Sequence, residues 1–110
     1  MWLLDANMDV HLLRVLSKFG IACDTVANRS WNALSNGDLV TAAAKAGFNC
    51  LLTRDQLFGE SASRALKSFP DFAVVVHIPQ KRWQQYREEF VVSWEQRPIV
   101  PVAGQLIHWP

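Results

Sequence analysis

Cysteine is scarce in this chain, with two residues in 110. Cys23 and Cys50 both lie in apolar, strand-like surroundings, which predicts reduced core thiols rather than a disulfide framework or thiolate metal site. Long hydrophobic runs are missing too. None approaches the roughly 20 residues that cross a bilayer, and no basic stretch leads into an apolar one at the start, so a cytoplasmic protein without a membrane partner is expected. An excess of one charge is also lacking: 11 Lys and Arg stand against 10 Asp and Glu, a net charge of +1. That balance neither requires nor excludes nucleic acid, because local patches bind phosphate while totals cancel. There are no internal repeats or low-complexity tracts, and no glycine-rich phosphate loop, nucleophile elbow or Cys-x-x-Cys pair. His11, His77 and His108 show no metal-ligand spacing.

What is present is a single-domain composition. Half the residues are hydrophobic and 19% are charged, which excludes disorder, and 110 residues can bury a core as one domain, 1–110. Five tryptophans are many for this length. Aromatics are enriched at interfaces, so a homodimer is one place where some of them would be covered.

Along the chain, strand and helix patterns alternate. Trp2 to Leu4 is short and apolar, a first strand. From Asp9 the spacing turns helical: Val10, Leu13, Leu16 and Phe19 share a face opposite His11, Arg14 and Lys18, and Gly20 closes the helix. Ile21 to Val26 reads as a second strand broken by Asp24. Ser35-Asn36-Gly37-Asp38 opens a helix through Ala46, ended by Gly47. Asn49 to Thr53 is the third strand, Glu60 to Phe69 a short helix before Pro70, and Ala73 to Ile78 an unbroken apolar strand. Such a run is covered on both faces, the mark of a parallel sheet. Pro79 opens a last helix whose Trp83, Tyr86, Phe90 and Trp94 form an apolar stripe, with Lys81, Arg82 and Arg87 facing water. The tail from Ile99 to Trp109 predicts an edge hairpin around Ala103-Gly104. The expected fold is α/β with a mainly parallel sheet in the order 2-1-3-4.

Carboxylates concentrate where that topology places binding sites. Ligands of open α/β sheets sit beyond the carboxyl ends of the strands. The first strand runs into Asp5, the third into Thr53-Arg54-Asp55, and Asp38 opens the second helix, so all three acids point to one sheet edge. Each also has a local explanation: Asp5 and Asp55 suit turns, and Asp38 fits a capping box begun by Ser35. Three carboxylates within about 5 Å would repel by about 3 kcal/mol per pair at an effective dielectric of about 20, so protons or a cation must offset them. Oxygen-only ligands suit magnesium or manganese, which would polarise a phosphodiester. Thr53 could support a carboxylate or water. Arg54 could contact a phosphate or pair with a neighbouring acid.

Leu4-Asp5-Ala6-Asn7, Gly20 ahead of a second strand, Asp38 with Ala42 to Ala46, and Leu52-Thr53-Arg54-Asp55 with Phe58 together resemble the PIN-like domains of small bacterial proteins, relatives of the VapC-type toxin ribonucleases. The resemblance spans Leu3 to Ile78. It implies a PIN-like α/β/α sandwich, a magnesium- or manganese-dependent endoribonuclease acting on RNA, and an antitoxin as protein partner. By motif position Asp5, Asp38 and Asp55 would be catalytic and metal-binding, with Asn7 and Thr53 supporting them. One departure stands out: Leu57 occupies a place where the resembling proteins commonly carry another acid, and Asp9 is the nearest candidate to compensate. Two other functions compete. A PIN-like interaction module without efficient chemistry would bind a partner or RNA. A phosphoacceptor receiver would need a paired acidic dipeptide after the first strand, where this chain has Asp5-Ala6, and a lysine after the last, where it has His77-Ile78-Pro79.

Overall fold

The strands of this chain are short, and most are apolar on both faces, so they are stable only between two layers of cover. The structure, a computed structural model, describes residues 1–55, 58, 60–77 and 86–110. Within them β1 (Trp2–Leu4), β2 (Cys23–Thr25), β3 (Cys50–Thr53), β4 (Ala73–His77) and β5 (Leu106–Trp109) form one sheet. Its order is β2-β1-β3-β4-β5, and every pairing is parallel. The helices are α1 (Leu12–Lys18), α2 (Asn36–Lys45), α3 (Glu60–Ser68) and α4 (Tyr86–Gln96). The expected order 2-1-3-4 holds, with β5 added beyond β4. No helix among the described residues is long and apolar enough to cross a membrane.

Side chains alternate across a strand, and two cores result. On one face Leu3, Leu51, Val74 and Val76 meet Leu39, Val40 and Ala43 of α2 and Ala62 and Leu66 of α3. On the other, Trp2, Leu4, Leu52 and Val75 meet Leu12 and Leu16 of α1, Phe90 of α4 and Trp109. Val74, Val75 and Val76 are all fully buried, each contributing roughly 1.5–3 kcal/mol. Double cover is why the run from Ala73 carries no polar alternation.

Three sequence expectations need correction. The tail is not a hairpin, since β5 runs parallel to β4, from Val74 opposite Leu106 to His77 opposite Trp109. A parallel neighbour requires a crossover, and α4 supplies it. Gly104 turns the chain into β5 rather than between two strands: its φ is +77°, and a Cβ there would lie 3.1 Å from the Pro70 carbonyl oxygen. In α1, Val10 is 58% exposed while Leu12 and Leu16 are buried. The helix begins only at Leu12, after a turn in which the Leu12 N–H donates to the Asp9 carbonyl, so Val10 never joins the helical face. Asp24 does not break β2 but lies within it. Because β2 is an edge strand, its carboxylate reaches Arg29 Nε at 2.7 Å and Asn28 Nδ2 at 2.8 Å, and a charge on an edge strand blunts its pairing with another chain.

The described tryptophans serve the interior. Trp2 and Trp109 are buried, and Trp94 packs on both at 6.0 and 6.3 Å while stacking on Phe19 at 4.9 Å. Trp31 meets Phe48 edge-on, and Arg29 covers the Phe48 ring at 4.8 Å. Trp83, with Lys81, Arg82, Ile78, Pro79 and Leu57, lies outside the described residues.

Candidate functional site

The strand pleat decides which polar side chains can meet at the carboxyl edge. Leu3 and Leu51 face α2 and α3, Leu4 and Leu52 face α1 and α4, so the next residues, Asp5 and Thr53, return to the α2 side. Since β1 and β3 are neighbours in register, they arrive together. The Thr53 hydroxyl is fully buried and has one proton to give. It donates to Asp5 Oδ2 at 2.7 Å and accepts from the Asp55 backbone N–H at 3.0 Å and from Asn7 Nδ2 at 3.4 Å. Asn7 Oδ1 accepts the Arg54 N–H at 3.1 Å, and the Asp5 N–H donates to the Leu52 carbonyl at 2.9 Å. Five of the six residues expected at the site, Asp5, Asn7, Thr53, Arg54 and Asp55, therefore share one hydrogen-bonded junction between the ends of β1 and β3.

Asp38 is not part of that junction. It is exposed in the first turn of α2, where its backbone N–H donates to Ser35 Oγ at 3.4 Å, the cap expected from the sequence. The connection from β2 to β3 does start α2 at the carboxyl edge, and α2 covers the face to which Asp5 and Thr53 turn. Topology thus sends Asp38 to the same face and edge of the sheet as Asp5 and Thr53. Among the described residues, however, no three His, Cys, Asp or Glu side chains are already gathered as metal ligands.

The donor set at the junction is oxygen-rich and suits a hard cation. Among the described residues, Asp5 Oδ1 accepts only the adjacent Ala6 N–H at 2.8 Å and Oδ2 only the Thr53 hydroxyl, against roughly four lone-pair sites on a carboxylate. No cation among the described residues pairs with it. Arg54 is exposed at the same edge, and its charge reaches His77. The two thiols do not compete for this role: burial pushes Cys23 up to about 11 and Cys50 further still, so both remain protonated at neutral pH.

Two features of this edge escape a reading by spacing. Asp9 is poorly suited to replace the acid missing at Leu57, because a guanidinium already neutralises it. Oδ1 accepts from the His11 N–H at 2.9 Å and contacts His11 Nδ1 at 2.8 Å, and Oδ2 takes Arg87 Nε at 2.8 Å. Burial opposes its ionisation, but the His11 contacts and the Arg87 guanidinium outweigh that and hold the carboxyl at about 2. His77 ends β4 fully buried, edge-on to Phe90 at 5.3 Å and 5.0 Å from Trp109. Burial, then the Arg54 charge, lowers it to about 4, so it stays neutral.

Comparison with known proteins leaves the site to speak for itself. No protein family, no curated protein and no solved structure matches this chain.

Proposed function

We propose that this protein is a PIN-like, magnesium- or manganese-dependent endoribonuclease of the cytoplasm, the toxin component of a bacterial toxin–antitoxin pair. RNA is its substrate and an antitoxin its protein partner. The observation that carries the reading is the buried Thr53 hydroxyl, which joins Asp5, Asn7 and Asp55 across two strands. Asp5, Asp55 and Asp38 would hold the cation, and their oxygen-only donors match magnesium or manganese rather than zinc. When bound, the cation supplies Lewis acidity to phosphodiester hydrolysis. The chain's own residues do the rest: Thr53 fixes the Asp5 rotamer, Asn7 ties the first loop to β3, and exposed Arg54 binds a substrate phosphate.

The test is cleavage of single-stranded RNA in manganese. Native protein cuts it, and Asp55→Asn falls to the level of a protein-free control. A second reading, an interaction module with the same fold and no efficient chemistry, is favoured by Leu57, which stands where the resembling sequences carry an acid. Leu57→Asp separates the two. A weak nuclease gains metal affinity and rate from the added carboxylate, whereas an interaction module gains neither and still binds its partner.

A further inference from the structure

The Asp9–Arg87 pair sits in a position that a mere surface contact would not need. Asp9 belongs to the segment between β1 and α1 that carries Asp5 and Asn7, and Arg87 lies in the first turn of α4, 78 residues away in the chain. Between β1 and the start of α1, the other ties lead to β3 or within the segment: Asp5 bonds Thr53 and the Leu52 carbonyl, Asn7 reaches β3, and the Met8 N–H donates to the Asp5 carbonyl. Three donors converge on one Asp9 carboxylate from both sides, two from His11 and one from Arg87. His11 only closes the local turn, so Arg87 is the donor that ties this segment to α4.

We infer that the Asp9–Arg87 pair is a clasp that presets the β1–α1 segment, making Arg87 a positioning residue for Asp5 and Asn7. Arg87 acts through Asp9 and touches neither Asp5 nor Thr53. The clasp rests on geometry alone. Its consequence for metal binding rests on the nuclease reading above.

Amide hydrogen exchange of the full chain tests the clasp without metal. In Arg87→Gln, exchange at Ala6 and Met8 should quicken about three- to fivefold, the range an exposed charge pair supports, while the α3 and β4 amides keep native rates. Asp9→Asn should do the same, and the double variant should add nothing further, because one broken partner already opens the clasp. Manganese affinity, read from thermal melts, should weaken in Arg87→Gln by a similar factor. Native exchange at Ala6 and Met8 in Arg87→Gln, or additive effects in the double variant, would overturn the clasp. Faster exchange in a protein whose native form ignores manganese would uphold the clasp and remove the nuclease reading instead.

Discussion

Asp5 and Asp9 stand four residues apart in the same segment and are treated in opposite ways. Asp9 is neutralised: three donors, one of them a guanidinium, share its two oxygens. Asp5 is supported by a buried hydroxyl and a neighbouring amide but given no counter-charge among the described residues. At Asp9 the chain itself neutralises the carboxylate, whereas at Asp5 it orients the carboxylate and leaves lone pairs to spare. The difference lies not in residue type or local sequence but in what the distant partners, Thr53 and Arg87, deliver.

The largest effect expected on varying this edge comes from its buried imidazole. His77 is lowered to about 4, first by burial and then by Arg54, from an ordinary value near 6.5. Its contribution is therefore complete above pH of about 6.5 and is lost as pH falls through about 4, up to roughly 3 kcal/mol in all. Urea midpoints at pH 7.5 and 4.5 should differ strongly in native protein and much less in His77→Phe. Asp9, held at about 2, keeps its ionic contacts across that whole window, so Asp9→Asn should leave the difference intact.

Next in size is Thr53→Val, which keeps the shape and removes the hydroxyl. Asp5 Oδ2 and the Asp55 N–H both lose a partner, at a cost of about 1–3 kcal/mol, and the manganese response should go with them. Thr53→Ser, which retains the oxygen, should restore the response despite its missing methyl. An unchanged response in Thr53→Val would mean that Asp5 needs no orientation and that the contrast with Asp9 is accidental.

Asp9→Asn itself should be milder. The pair with Arg87 is partly exposed, with about half of the Arg87 side chain open to solvent, so solvent screening limits its net stabilisation to about 1 kcal/mol. Chemical denaturation in low and high salt checks this, since the native protein should lose that increment as salt rises while the variant has none to lose. A larger loss would mean that Asp9 does more than close the clasp.

Much of this organisation is legible in the sequence. Strands ending in Asp5 and in Thr53-Arg54-Asp55 identify β1 and β3 as neighbours, and the unbroken apolar run from Ala73 identifies a doubly covered strand. Ser35 and Asp38 mark the start of α2 by local chemistry alone. What escapes reading depends on partners far along the chain. Parallel pairing of β5 follows from the α4 crossover, and a local alternation cannot distinguish that from a hairpin. The neutralisation of Asp9 needs Arg87, and the burial of His77 needs Phe90 and Trp109. Asp38 falls between these cases: its cap is readable, whereas its distance from Asp5 depends on how α2 is tilted across the sheet.

The contrast between the two aspartates is tested most directly by a manganese titration of thermal melts on native protein, Asp5→Asn and Asp9→Asn. A cation bound only by the folded state adds about 2.7 kcal/mol at a hundredfold excess over its dissociation constant, an upward shift of about 10 °C for a domain of this size. Native protein should show that shift, Asp9→Asn about two thirds of it through the loosened segment, and Asp5→Asn none. A shift in Asp5→Asn equal to that of native protein would contradict the account, because the carboxylate left with open lone pairs would then not be the one that binds.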